Sequence, residues 1–254
     1  ILIWIPMARR KSLAFLDVGQ GDCFVADTKS GAIIFDGGSS SEDQVGRYRI
    51  LPYMKYLGYQ KIQIAVISHM DIDHYSGIKE LLEMGKIKYL GLPEIPKDET
   101  MKKIIGIAKK RGTTIFYLSR GRQITTKDGS LKVLHPQKNS QMEKNAASLV
   151  MQGKILGYRV LLTGDVEKEG EEELLSEELE RADILKAAHH GSKNSTSNEF
   201  LQKVQPKQTV ISCGKQNRYG HPHLETIHRL QTYRTKIYRT DRSGAIIFFK
   251  RRDG

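Results

Sequence analysis

The chain has 254 residues and carries 41 Lys and Arg against 29 Asp and Glu, a formal net charge of +12. That length suits one large or two small domains, and 39% hydrophobic with 28% charged residues excludes a disordered or collagen-like chain. Two cysteines, Cys23 and Cys213, are too few for a disulfide framework, and the basic surplus points to polyanions, either nucleic acid or an anionic membrane surface.

The opening run Ile1-Leu2-Ile3-Trp4-Ile5-Pro6-Met7 is apolar but far short of the ~20 residues that cross a bilayer. Ala8-Arg9-Arg10-Lys11 ends it with charge. Residues 1–11 therefore read as a boundary segment, either a first strand with a surface turn or the end of a spanning helix with its basic anchor. No small-residue cleavage site comes after it, which argues against a secretory signal. Short β-rich runs then predict strands at 12–17, 23–27 and 32–35, closed by Asp36-Gly37-Gly38. A helix is expected over 45–57, a β-branched strand over 62–67, a helix from about 74 to 84, a strand over 87–92 and a basic helix over 99–110. The second half continues with strands at 115–118, 131–134, 148–151 and 159–162, an acidic helix over 167–180 and a strand at 184–187. It ends with a helix at 200–204, a strand at 209–212, a helix at 226–233 and strands at 236–239 and 245–249. Two β-rich halves, each with helices and no dividing linker, imply one α/β domain over 12–254, an αββα sandwich of two mixed sheets flanked by helices.

The strongest chemical signal is Ser68-His69-Met70-Asp71-Ile72-Asp73-His74, directly after the strand 62–67. Two carboxylates between two imidazoles on one turn repel each other unless a divalent cation neutralises them, and this donor set suits zinc, manganese or iron. Without a metal the same turn is a solvated loop in which Asp73 caps the next helix. Leu161-Leu162-Thr163-Gly164-Asp165 delivers another carboxylate at a strand end, where Gly164 permits close approach and Asp165 could bridge two ions. Ala187-Ala188-His189-His190-Gly191-Ser192 places two imidazoles at a further strand end. Asn217-Arg218-Tyr219-Gly220-His221-Pro222-His223 offers His221 on a late loop, whereas His223 and His228 read as helix-surface residues.

In this order the motifs resemble the metallo-β-lactamase superfamily. With Leu16-Asp17-Val18-Gly19-Gln20-Gly21-Asp22, Asp36-Gly37-Gly38 and Tyr219-Gly220-His221-Pro222 added, they resemble the C-terminal domains of the ComEC family of bacterial competence proteins, over almost the whole chain from about Leu13 to Phe249. The resemblance implies two divalent ions: His69 and Asp71 on the first, Asp73 and His74 on the second, Asp165 between them, and His190, the histidine directly before Gly191, as the last imidazole. His189 is the weaker ligand and Asp36 orients a histidine or the loop. Asp17 and Asp22 belong to the subfamily signature without a clear chemical role. Position 71 is Asp where most superfamily members have His, and the next ligand of the first ion is either Asn145 or His135. Both departures harden the donor set and favour Mn2+, with Zn2+ also possible.

The resemblance thus implies a metal-dependent deoxyribonuclease that hydrolyses phosphodiesters, with Asp73 and His221 as catalytic residues. His221 would protonate the leaving oxygen or hold the phosphate, and Lys186, Ser192, Lys193 and Arg218 would bind phosphates. It further implies single-stranded DNA as partner, attachment to a membrane channel portion of the same parent protein, and placement on the outer face of the cytoplasmic membrane. The implied role there is degradation of the strand that is not imported. A hydrolase of small esters or phosphoesters on the same fold, or a non-catalytic DNA-binding module, are the alternatives.

Overall fold

The computed structural model describes residues 10–143, 145–177 and 179–251. Of the boundary segment 1–11, residues 1–9 lie outside the described residues. Lys11 already belongs to the fold, since its ammonium contacts Asp27 Oδ1 at 2.8 Å and Tyr59 Oη at 3.0 Å.

Strands β1 (Ser12–Phe15), β2 (Phe24–Thr28), β3 (Gly31–Phe35), β4 (Ile62–Val66), β5 (Ile87–Pro93), β6 (Thr114–Leu118) and, from the far end of the chain, β14 (Ile246–Phe249) make one sheet in the order β14-β1-β2-β3-β4-β5-β6. Strands β7 (Gln123–Thr126), β8 (Gly129–His135), β9 (Val150–Ile155), β10 (Tyr158–Leu162), β11 (Ile184–Lys186), β12 (Gln208–Ile211) and β13 (Lys236–Arg239) make the other, ordered β13-β12-β11-β10-β9-β8-β7. In the first sheet β14, β1, β2 and β3 pair antiparallel, and pairing turns parallel from β3 through β6. The second repeats the plan: antiparallel from β7 to β10, then parallel through β13. Both changes of direction bring carboxyl-terminal strand ends to one rim, the place where open α/β sheets leave a crevice.

The period-2 alternation of each strand sets the layers. Leu13, Phe15, Phe24 and Ile33 of the first sheet meet Val133, Met151, Val160 and Leu162 of the second in a dry central layer. The alternate residues Ala14, Val25 and Ile34 face outward under α1 (Leu51–Tyr56), α2 (Ile72–Glu83) and α3 (Glu99–Lys110). On the opposite side Leu161, Leu185 and Ile211 pack with residues of α4 (Lys168–Leu175), α5 (Asn198–Val204) and α6 (Leu224–Thr232). The expected αββα sandwich is the observed architecture. Among the described residues no helix is long and apolar enough to cross a membrane.

Three local expectations are corrected. The helix expected over 45–57 is a π-turn at Gly46–Ile50 followed by α1, which begins beside Pro52; proline has no N–H to give to the regular ladder. The acidic helix ends at Leu175, where Ser176 turns its hydroxyl onto the Glu173 carbonyl. Strand β7 adds to the expected set, with Asp128-Gly129 as the hairpin signal in its sequence.

At the carboxylate of Asp183, just before β11, four donors converge: the Arg159 amide at 3.0 Å, Lys207 Nζ at 3.0 Å, Arg251 at 3.5 Å and Arg159 Nη2 at 3.6 Å. Burial raises its pKa, but the Arg159 amide and the Lys207 and Arg251 cations outweigh that and hold it below the ordinary carboxylate value. A lowered folded-state pKa stabilises above the unfolded-state value and loses that contribution as pH falls through the folded-state value. Asp183→Asn is expected to cost about 1 kcal/mol at pH 7 in urea unfolding, with variant and wild type converging in acid.

Candidate metal centre

Backbone contacts among two glycine-bearing turns and the first turn of α2 build the rim. The Asp22 amide donates to the Asp73 carbonyl at 3.0 Å, the Gly37 amide to the His74 carbonyl at 2.9 Å, and the Gly38 amide to the Asp22 carbonyl at 3.1 Å. Gly38 lies so close to the start of α2 that a Cβ would meet Ile72 O, Asp73 C and His74 N, each at 2.6 Å. No other residue fits there without moving the helix.

Asp36, in left-handed backbone at φ 57°, ends β3 with its carboxylate turned inward. Its Oδ1 accepts from the Ser68 amide at 2.7 Å and its Oδ2 lies 2.9 Å from His74 Nδ1. A carboxylate on Nδ1 fixes the ring so that Nε2 is the free donor atom. Asp36 therefore orients both a histidine and the loop. The chain leaves β4 through Ser68, whose hydroxyl stands 3.0 Å from His69 Nδ1, and enters α2 with Asp71 at the N-cap position and Asp73 and His74 in the first turn.

The second sheet supplies the rest. Beyond β10, Gly164 at φ +51° lets Asp165 turn in, and beyond β11 His189 and His190 both adopt left-handed backbone at φ 47° and 52°. His190 Nδ1 faces the Ser212 carbonyl at 2.9 Å, which again leaves Nε2 pointing inward. Asp165 Oδ2 is the hub: His74 Nε2 lies 3.2 Å away, His190 Nε2 3.4 Å and His189 Nε2 3.7 Å. Asp73 Oδ2 is 3.3 Å from His190 Nε2, and Asp71 Oδ2 is 3.6 Å from His69 Nε2.

Charge tracks this geometry. Burial alone would lower the pKa of His190, yet Asp165 and Asp22 outweigh it and raise it to about 10; His74 is likewise raised, by Asp165 and Asp36 against its burial. Burial favours the neutral Asp73, but the nearby His190 and His74 imidazoles lower it to about 2, and Asp165 is held low by the same two imidazoles and Lys186. His221 moves the other way, to about 4, through burial and the neighbouring His190 and His189.

The buried Nε2 atoms of His69, His74 and His190 have no hydrogen-bond partner among the described residues. Three such imidazole nitrogens converging with the carboxylates of Asp71, Asp73 and Asp165 are the donor set of a divalent cation site. The residues present thus fit the divalent metal binding that the motifs imply.

The other expected residues divide between the centre and its surroundings. His135 is buried with Nε2 2.7 Å from the Ala146 carbonyl and Nδ1 3.3 Å from Glu173, so both its nitrogens face groups outside the centre. Asn145 instead lines a cleft of about 730 Å3 with Asp71, Glu143 and Glu167. His189 sits at the rim with Nδ1 2.9 Å from Glu167 Oε1. His221 closes the open side, its ring 6.2 Å from that of His190 and nearly parallel, at 29°. Asn217 grips the His221 backbone, accepting its N–H at 3.0 Å and donating to its carbonyl at 2.6 Å. Lys193 and Arg218 are exposed.

Lys186 and Ser192 are corrections. Lys186 is buried, pairs with Asp22 and Asp165 and donates to the Gly164 carbonyl at 2.9 Å, so it serves as an internal counter-ion. Ser192 is buried in the turn after His190, where its carbonyl accepts from the Thr226 hydroxyl at 2.8 Å.

Asp22, without a clear role in the sequence, gains one in the fold. Its oxygens lie 3.7 Å from His74 Nδ1 and 3.6 Å from His190 Nδ1. With His74, Asp165 and His190 it forms a buried set whose donor atoms all lie within 4.8 Å of one another. Because it faces the Nδ1 atoms and Lys186, Asp22 stands behind the rings and balances their charge.

Residues 16–215 match the metallo-β-lactamase superfamily. Across its whole length the chain is 35% identical to ComE operon protein 3 of Bacillus subtilis, and over 94% of its length it is 30% identical to competence protein ComA of Neisseria gonorrhoeae. Both are ComEC-family competence proteins, and the chain spans about a third of their length, 35% and 32%. Among solved structures, the metallo-β-lactamase fold protein YhfI of Bacillus subtilis superposes with a TM-score of 0.62 at 12% identity, covering 93% of this chain and 99% of that one. Human tRNase Z, short form, does so with 0.53 at 13% identity, covering 94% and 99%. Matched by sequence over most of its length and by fold over nearly all of it, this chain belongs to the metallo-β-lactamase superfamily.

Proposed function

We propose that the chain is a metal-dependent deoxyribonuclease that hydrolyses phosphodiester bonds in DNA, preferring single strands. The observation that carries this reading is the convergence of three unpartnered imidazole nitrogens with three carboxylates at the crevice rim. When bound, divalent ions lower the pKa of water towards ~7 and offset the negative charge of the attacked phosphate. His69, Asp71, Asp73, His74, Asp165 and His190 would hold them, with Asn145 beside Asp71. The oxygen-rich set favours Mn2+ over Zn2+.

The chain's own groups account for the remainder. Asp36 and the Ser212 carbonyl hold His74 and His190 in the required ring orientation. His221, clamped by Asn217, faces the open side, where its imidazole, neutral near pH 7 with a pKa of about 4, holds the phosphate as a hydrogen-bond donor. Arg218 and Lys193 supply exposed cations for neighbouring phosphates, and the net charge of +12 supports attraction of a polyanion. The likeness to competence proteins supports a place in DNA uptake: a domain on the outer face of the cytoplasmic membrane, joined to a channel portion of a longer chain, degrading the strand left outside.

Incubating the protein with labelled single- and double-stranded DNA and Mn2+, with and without chelator, tests this. Cleavage that chelator abolishes is the expected result. Intact DNA throughout, with turnover of a small ester, would replace the reading with a small-ester hydrolase. Binding that survives chelator without turnover would leave a DNA-binding module.

A further inference from the structure

On the His69 side of the metal centre lies a small slot of about 180 Å3, whose lining is mainly apolar (Met70, Ile95, Pro96, Met101 and Met142) but also includes His69, Asp98, Ser140 and Gln141. Its walls come from three places: the turn after β4, the segment between β5 and α3 with the first turn of α3, and the loop at 140–143. Met70 and Met101 are buried and Met142 and Ile95 half-buried. No lysine or arginine among the described residues lines it. Met142 lines this slot, whereas its neighbour Glu143 lines the wider cleft together with Asp71, Glu167, Lys168 and Glu169.

We propose that this slot receives one unstacked nucleobase of the strand whose phosphate lies at the metal centre. The inference rests on the nuclease reading above and names what that site recognises besides phosphate. A mainly apolar slot with no cation among its described lining residues is better matched to a planar ring than to a phosphate. Polarisable thioethers pack against aromatic rings from several directions, so Met70, Met101 and Met142 can accept any of the four bases. The carboxamide of Gln141 and the hydroxyl of Ser140 are hydrogen-bonding groups for the rim of a base. The shared wall is His69: one buried imidazole borders the slot and offers Nε2 to the metal centre, so a base in the slot sits beside the scissile phosphate of its own strand. A base can enter only after leaving its stack, which single strands permit and duplexes resist. The slot therefore selects single-stranded substrate.

The test uses the intact chain with Mn2+ and a series of end-labelled single-stranded oligonucleotides, each carrying one abasic residue at a successive position. Cleavage is expected to fall about tenfold at one phosphodiester at a constant offset from the abasic residue. In Met142→Trp, whose indole fills the slot, overall cleavage falls about tenfold and the position-dependent dip disappears. Ile95→Trp serves the same purpose should that variant fail to fold. A wild-type ladder indifferent to the abasic position overturns the slot while leaving the nuclease reading intact. Failure of the wild type to cut any strand overturns both.

Discussion

Lys186→Met is expected to destabilise the protein by about 3–5 kcal/mol, the cost of removing one partner from a buried ion pair. The ammonium lies on β11 inside the fold, against the carboxylates of Asp22 and Asp165 and 2.9 Å from the Gly164 carbonyl. Burial alone would push the ammonium towards its neutral form, yet the two carboxylates raise its pKa. A methionine of similar length fills the space but leaves Asp22 charged, buried and faced only by imidazoles. Urea unfolding at pH 7 measures the loss, and adding Asp22→Asn should recover much of it, because the uncompensated charge disappears. A loss below about 1 kcal/mol would show that Lys186 does not act as the internal counter-ion.

Asp73→Ala is expected to reduce DNA cleavage by at least about 10²–10³-fold, the scale on which removal of one charge-stabilising group acts. Asp73 is in the first turn of α2, and its carboxylate points at His190 Nε2 from 3.3 Å. Its low pKa, about 2, keeps it anionic at neutral pH, as a cation ligand requires. The side chain is 16% exposed at the rim and belongs to none of the apolar clusters, so circular dichroism should show the variant folded. Retained cleavage would remove Asp73 from the site.

Much of the fold and the centre is legible in the sequence because the signals are local. Alternating apolar residues mark the strands, and both faces of the sheets are buried, so the runs around Ile33 and Ile64 are short and strongly β-branched. The histidines and carboxylates sit at strand ends, where the fold brings them to one rim, so their order along the chain already points to one centre. Pairing across the sandwich is what the sequence does not reveal. Asp22 and Lys186 meet only because β11 of the second sheet lies against the turn after β1. Nothing local to Lys186 distinguishes a buried counter-ion from a surface phosphate ligand. His135 is open as a ligand in the sequence for the same reason: its engagement with Glu173 and the Ala146 carbonyl depends on how α4 packs over β8.

Equilibrium titration of the metal-free protein with Mn2+ tests, without relying on turnover, whether these side chains hold divalent ions. The expected result is two ions per chain, both lost from a variant carrying His74→Ala and His190→Ala together. No binding by the wild type, or binding unaffected in that variant, would show that these side chains do not hold the ions.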